Sequence, residues 1–356
     1  MSKIVGMCNP LLDICADVPT SFLEKYGLQA NNAILAEEKH VPLYEDMKSS
    51  FPVEYIAGGA GQNSMRVCTW LLQEKGTCAY FGAVGKDETA NVMRAAAQKD
   101  GVDVRYYDEG GLATGTCGVL VSSGGKDRSL VANLSAANTY TDAHLKRPEN
   151  WKVVEGADYF YITGFFFTVS PGSIMAIGKH CVETGKTLCM NFSAPFLLEV
   201  PPFLQAFKDA SPYVDVYFGN EAEIEAVAKG LGFANTTDIT EMAKSLAMLP
   251  GKKSSRPRTV IITHGAEPTT IVIGDSKRIW SVKEYGILPA SPDEIVDTNG
   301  AGDAFVGGFL AGIVKGVPIE ECVAMANYAA NVVIKRSGCT YPDKPSFKFR
   351  GATTYY

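Results

Sequence analysis

The sequence predicts an α/β protein with a mostly parallel central sheet, helices on both of its faces, and a small, separate β-sheet lid. Three observations carry this. From Asp158 onward, short apolar runs alternate with helical stretches, the pattern of successive β-α units. Two further runs, Thr116–Val121 and Ser129–Asn133, read as a hairpin around Ser122-Ser123-Gly124-Gly125-Lys126-Asp127, outside that rhythm. Near the C-terminal end, a glycine-rich stretch opens a periodic apolar run, Ala304, Phe305, Gly308, Phe309 and Gly312, one face of a helix. The chain of 356 residues can bury a large core. The reading is one domain over residues 1–356 with a discontinuous lid at roughly 14–58 and 112–138.

Taken in order, Lys3–Cys8 reads as a buried strand running into Asn9-Pro10-Leu11-Leu12-Asp13. Asn9 and Asp13 are polar groups in apolar company at a strand end, where open α/β sheets bind ligands. A carboxylate there can hold a sugar diol; the plain alternative is a turn-forming Asn-Pro and a surface Asp. Residues 17–50 read as a polar insertion with a short helix near Ser21–Tyr26; Leu35 and Ala36 are apolar within it. Val53–Ala57 reads as a strand. The turn Gly58-Gly59-Ala60-Gly61-Gln62-Asn63 follows, then a helix to Gln73. Thr77–Val84, a helix to Lys99, and Val102–Tyr107 come next. The β-α alternation then gives strands at Asp158–Thr163, Thr187–Phe192, Val214–Phe218 and Thr259–Thr263, with a helix beginning near Pro171 and another around Phe196–Lys208. Thr270–Ile273 and Arg278–Val282 read as antiparallel edge strands.

Composition excludes several classes. Hydrophobic content of 46%, charge of 20% and a net charge of -6 fit a globular protein and argue against a nucleic-acid partner. Lys252, Lys253, Arg256 and Arg258 cluster near Pro250, Gly251 and Pro257, which suggests a solvated loop. No apolar run is long enough for a membrane span, and no signal-peptide core precedes the first strand. The nine cysteines form no Cys-x-x-Cys pair and read as buried small hydrophobes in a reducing compartment. A cytoplasmic monomer is the expectation.

Chemistry concentrates in Asp297-Thr298-Asn299-Gly300-Ala301-Gly302-Asp303. Asn299 reads as the helix N-cap. Gly300 and Gly302 let backbone approach a ligand, and the bare N–H groups of the helix start attract phosphate. Asp303 places a carboxylate where the phosphate belongs, which suits a general base; the plain alternative is an acid favoured by the helix dipole. A P-loop pattern and a dinucleotide fingerprint are both absent, which counts against an oxidoreductase. Asn220 and Glu223 follow a strand end, three residues apart at a helix start. Such an oxygen pair suits hydrated Mg²⁺, or simple capping. Phe165–Phe167 reads as core, or as a platform for a base. Arg128 flanks the hairpin turn and reads either as solvated or as a cation brought toward phosphate.

These motifs strongly resemble the ribokinase-like (pfkB) family of carbohydrate and nucleoside kinases. The resemblance rests on Gly58-Gly59 with Asn63, Asn220-x-x-Glu223, Thr263-x-Gly265 and the Asp297–Asp303 stretch. Gly6–Ile14, Ile34–Glu37, Arg128–Leu134 and Gly338–Pro342 are similar to the adenosine-phosphorylating members in particular. The likeness runs from the first strand nearly to the C-terminus.

It implies an α/β/α sandwich with a discontinuous lid, and transfer of the ATP γ-phosphoryl group to the 5′-hydroxyl of adenosine, giving AMP and ADP. It assigns Asp303 as catalytic base and the Gly300, Ala301 and Gly302 backbone as anion hole. Asp13 would grip the ribose with Asn63, Gly58 and Gly59, while Asn9, Leu35, Cys117, Leu130 and Phe166 would pack the adenine. Asn220 and Glu223 would serve Mg²⁺ through water. Thr263, Gly265, Asn299, Asn327 and again Asn220 would lie along the ATP, with Arg128 a lid arginine near the phosphates. Two positions depart from the pattern: Ala60 stands where Ser or Thr is expected, and Asn327 where a histidine is common. The alternatives are another kinase of this fold, acting on inosine or ribose, and a non-catalytic nucleoside-binding protein.

Overall fold

Apolar strands joined by helices must pair in parallel and bury both faces, and the computed structural model, which describes residues 2–125 and 127–348, shows how the chain does this. It divides into two compact units, Met1–Cys8 with Thr141–Pro289, and Asn9–Tyr140 with Ala290–Tyr356.

In the first unit, seven strands lie side by side in the order Ile279–Tyr285, Glu267–Gly274, Arg258–His264, Val216–Asn220, Thr187–Asn191, Tyr159–Thr163, Ile4–Met7. The last five are mutually parallel, and the first two are added antiparallel, as edge strands. The helix expected around residues 196–208 is two helices, Phe196–Glu199 and Pro201–Ala210. Val200-Pro201-Pro202 breaks it, because proline lacks the N–H that a continuous helix needs. The basic cluster at 252–258 is not a solvated loop. Lys252 donates to Asp215 at 2.5 Å with both side chains buried, and Ser254 donates to the same carboxylate at 2.6 Å. Arg258 is wholly buried and donates to the carbonyls of Leu246, Leu249 and Ser211. Helix Ile239–Ala247 thus has its C-terminal carbonyls capped by a guanidinium.

In the second unit, five strands form a smaller sheet in the order Ala33–Leu35, Asp127–Asn133, Thr116–Ser122, Leu11–Asp17, Glu54–Gly58. Lys126, at the expected hairpin turn, lies outside the described residues. Leu11–Asp17, expected as a loop at a strand end, is itself a strand of this sheet. Residues 17–50 hold more order than a polar insertion: helices Thr20–Lys25 and Leu43–Ser50 pack Phe22, Leu23, Tyr26, Leu43, Tyr44 and Met47 onto Ile14, Ala16, Leu120 and Val131. That covers one face of the sheet. Strands Cys78–Ala83 and Asp103–Tyr107 pair in parallel, and helices Ala60–Leu72, Glu88–Lys99, Ala301–Lys315 and Ile319–Val333 complete the unit. All nine cysteines are buried, and none is in a disulfide. Among the described residues no helix is long and apolar enough to cross a membrane.

Candidate active site

The two helices that matter most pack at glycine-narrow distance. A Cβ on Gly307 would lie 2.6 Å from the Ser64 carbonyl and 2.8 Å from Val67 Cβ; one on Gly308 would lie 2.6 Å from the Met325 carbonyl. Helices Ala60–Leu72, Ala301–Lys315 and Ile319–Val333 therefore touch backbone to backbone. This brings Asn63 Nδ2 to Asp303 Oδ2 at 3.0 Å, and Ser64 Oγ donates to the Asp303 carbonyl at 3.0 Å.

Asp303 is the third residue of its helix. Gly300, not Asn299, is the N-cap, at φ 78°. A left-handed cap favours glycine, and a Cβ there would also press on Cys339 Cβ at 2.9 Å. The Asn299 N–H instead donates to Asp297 Oδ1 at 2.6 Å. No side chain caps the helix, and Gly302 is exposed with open space where a Cβ would stand. The Ala301 N–H donates to the Thr298 carbonyl at 3.2 Å, which leaves the Gly302 and Asp303 N–H groups and the positive end of a dipole to attract an anion.

The helix dipole was expected to keep the Asp303 carboxyl strongly acidic. Burial wins instead: it lifts the pKa from 3.8 to about 6, with the Asn63 hydrogen bond pulling the other way. The residue as a whole is half-buried.

Strand register gathers the next group. Ile56, Asp13, Cys117, Ala132 and Leu35 pair successively across the small sheet, so their side chains share one face. The neighbouring row on that face is Cys15, Val119, Leu130 and Ala33. The predicted residues Asp13, Leu35, Cys117 and Leu130 are therefore on the face not covered by helices Thr20–Lys25 and Leu43–Ser50. It is a mostly apolar field that carries the Asp13 carboxyl, with Glu54 paired to Cys15 at its edge. The glycine turn fits against that carboxyl: a Cβ on Gly58 would fall inside it, and one on Gly59, at φ 91°, would run into the Asn9 carbonyl. Asn9 Oδ1 and Asn63 Oδ1 are buried acceptors with no partner among the described residues. Buried polar atoms are almost always satisfied, so both have capacity left for a ligand's donor.

Charge is unbalanced here. Burial, with Asp303 and Asp297 nearby, raises the Asp13 pKa to about 8, while Arg66 opposes the rise. Arg128 is buried, not solvated: it donates to Asp297 Oδ1 at 2.6 Å and to the carbonyls of Val296 and Asp127. Asp297 also accepts from Gly338 N–H at 2.8 Å. Asp297 and Arg66 are the residues that sequence reasoning passed over. The signal for Asp297 was its place at the head of the glycine motif; Arg66, one helical turn after Asn63, gave none. Asn327 is buried on helix Ile319–Val333.

In the first unit, Asn220 and Glu223 form a reciprocal capping box on helix Glu221–Leu231. Glu223 N–H donates to Asn220 Oδ1 at 2.9 Å, and Asn220 N–H and Nδ2 donate to the Glu223 carboxylate at 3.1 and 3.2 Å. Among the described residues no three His, Cys, Asp or Glu side chains gather as a direct metal cage. Thr263 Oγ1 donates to the Gly219 carbonyl at 3.2 Å, and Gly265 makes the turn between two antiparallel strands. Phe166 has no exposed surface, as a core ring would not.

An anion-attracting helix start with a carboxylate in its first turn, and a mostly apolar sheet face that carries Asp13, suit a group-transfer enzyme acting on an alcohol. The pfkB family of carbohydrate kinases matches residues 20–346. Adenosine kinase 2 of Arabidopsis thaliana is 50% identical over 348 residues, covering 97% of each chain. The crystal structure of Anopheles gambiae adenosine kinase in complex with P1,P4-di(adenosine-5) tetraphosphate superposes with a TM-score of 0.91 at 45% identity, over 97% of this chain and 99% of that one. Adenosine kinase from Schistosoma mansoni in complex with 2-fluoroadenosine gives 0.89 at 35% identity, over 96% and 97%. The chain belongs to the pfkB family of carbohydrate kinases, and so is an ATP-dependent phosphotransferase.

Proposed function

We propose that the protein is an adenosine kinase, transferring the γ-phosphoryl group of ATP to the 5′-hydroxyl of adenosine to give AMP and ADP. The observation that carries this is the hydrogen-bonded pair Asn63–Asp303 at the start of an uncapped helix, with Asp13 on the apolar sheet face. The names of the relatives agree with it.

In this reading the 5′-hydroxyl lies against Asp303, which takes its proton; Asn63 holds the carboxylate in place. A general base of this kind contributes about 10²–10⁴-fold. A pKa near 6 leaves Asp303 mostly ionised at neutral pH yet more basic than an ordinary carboxylate. The N–H groups of Gly302 and Asp303 hold the transferring phosphoryl, whose loose transition state needs charge neutralisation more than covalent help. Asp13 accepts from the ribose hydroxyls, with the Gly58-Gly59 backbone beneath it. Asn9 Oδ1 accepts from the ligand, and Leu35, Cys117 and Leu130 cover the base. The small sheet, roughly residues 14–58 and 112–138, acts as the lid, and closing it excludes water as a competing acceptor. Arg128, held by Asp297, supports the loop leading into the anion site.

Mg²⁺ suits the Asn220–Glu223 pair through water. The capping box leaves the Glu223 carboxylate further lone pairs, and hard oxygens with retained waters are what Mg²⁺ prefers. When bound it neutralises phosphate charge. Thr263 and Gly265 are assigned to the ATP side with Asn220, and Asn299 and Asn327 likewise. The protein is taken to act as a monomer. Nine cysteines outside any disulfide support a reducing, cytoplasmic setting.

The test is ATP-dependent product formation against adenosine, inosine, guanosine, ribose and fructose. Adenosine is expected to exceed every other acceptor at least about tenfold in kcat/KM, roughly 1.4 kcal/mol. A bare sugar winning would transfer the reading to a sugar kinase. Binding of adenosine without turnover would transfer it to a binding protein.

A further inference from the structure

Asp13 and Asp303 have no ion-pair partner among the described residues; Arg128 is paired with Asp297 and Arg66 with Asp100. Of these two guanidiniums, Arg66 is the one bonded to the peptide that leads into the turn under Asp13. It is fixed on three sides. Its Nε donates to Asp100 Oδ2 at 2.7 Å, Nη1 donates to the Ala57 carbonyl at 3.1 Å, and its plane lies 5.8 Å from the centre of the Tyr341 ring. Tyr341 is itself held, stacking on Trp70 at 4.8 Å and donating to Asp100 Oδ2 at 2.8 Å. The anchor therefore draws on helix Ala60–Leu72, the end of helix Glu88–Lys99 and the segment at residue 341. Ala57 is the residue just before Gly58-Gly59, the turn on which the Asp13 carboxyl rests.

We infer that Arg66 is a positioning residue for the acceptor: it pins the peptide ahead of the glycine turn and supplies the fixed positive charge that lets Asp13 accept from the sugar as a carboxylate. This deepens the proposed function and rests on it for the role of Asp13. A neutral side chain at 66 could hold the turn, but it could not favour the ionised acid. Asp303 and Asp297 oppose ionisation of Asp13 and Arg66 favours it; Glu54 and the Asp297-paired Arg128 share its sheet face. Cys15 on its own strand and Cys117 on the next are held neutral by burial.

The sign follows. With an Asp13 pKa near 8, nucleoside binding strengthens as pH rises toward 8. Removing the Arg66 charge moves that bend upward, by about one pH unit if the effect is at the low end for a nearby opposite charge. The experiment is titration calorimetry of adenosine binding to the whole protein, Arg66→Met and Arg66→Lys, at pH 7 and pH 9.5. Arg66→Met is expected to weaken Kd about sevenfold more at pH 7 than at pH 9.5, where only the lost pin on the turn remains. Arg66→Lys keeps a charge and is expected to stay near the parent in its pH dependence. If Arg66→Met does not fold, Arg66→Gln, which keeps hydrogen-bonding capacity without charge, takes its place.

An equal weakening at both pH values, or no weakening, overturns the inference, since a purely structural loss has no reason to vanish at high pH. Turnover of ATP in a separate assay separates the two readings. Adenosine binding with the expected pH pattern but no AMP keeps Arg66 and loses the kinase; no adenosine binding by the parent protein overturns both.

Discussion

Replacing Asp303 by Asn should make the protein more stable and nearly inactive, and both changes can be sized from the structure. The amide keeps the shape and can still meet Asn63, but it accepts no proton. Loss of a general base is worth about 10²–10⁴ in kcat, or roughly 3–5 kcal/mol of barrier. Stability moves oppositely. A carboxyl whose pKa rises from 3.8 unfolded to about 6 folded favours the folded state fully only below 3.8, and that advantage is lost as pH passes 6. Above pH 6 the ionised group costs on the order of 3 kcal/mol relative to a side chain that never ionises. Asp303→Asn should therefore resist denaturant better than the parent at pH 7.5, with the gap closing below about pH 4. In the parent, log kcat/KM should fall with slope one below about pH 8 as Asp13 takes a proton. The slope should approach two below about pH 6, the two steps belonging to the coupled pair. Denaturant curves at both pH values and a pH–rate profile test this. A variant within threefold of the parent kcat, with adenosine still bound, would refute Asp303 as the base.

Gly58→Ala should force the Asp13 carboxyl off the turn, because the added methyl occupies its place; a rise in KM for adenosine of about tenfold or more, with a smaller change in kcat, is expected from steady-state kinetics. Asp297→Asn leaves the Arg128 guanidinium buried without its counter-charge, at roughly 3–5 kcal/mol; the Arg128→Met, Asp297→Asn double variant should recover part of that in denaturant unfolding, and additive losses would deny the coupling. Glu223→Gln keeps the capping oxygen and should cost under about 1 kcal/mol of stability, yet raise the Mg²⁺ needed for half-maximal rate about tenfold or more. An unchanged Mg²⁺ titration would reduce the pair to a helix cap.

Much of the architecture could be read from periodicity, because buried parallel strands and their crossover helices differ plainly in pattern. The glycine motif with Asp303, and the shared placement of Asp13, Leu35, Cys117 and Leu130, were legible as residues. Their common face was not, since it depends on register between strands more than a hundred residues apart. Leu11–Asp17 was hidden by Asn9-Pro10 at its head and a polar Asp13 within it. Helix Leu43–Ser50 was hidden between Pro42 and Pro52, although Leu43, Tyr44 and Met47 share one side. Arg128 and Arg258 look solvated in sequence because a partner carboxylate or a helix end is a tertiary fact. The cap at Gly300 was misplaced by one residue, since Asn299 has the right side chain and only the backbone angle decides.

The glycine contacts between helices Ala60–Leu72 and Ala301–Lys315 have a further consequence. Asn63 and Asp303 stand at the same end of two rods welded along their length, so their separation is a dimension of the scaffold. A methyl at Gly307 would prise the rods apart near Ser64, one turn from the reacting carboxylate. Alignment of the base and integrity of the core are set at one joint, and selection for either in a mutant library should reject the same substitutions there.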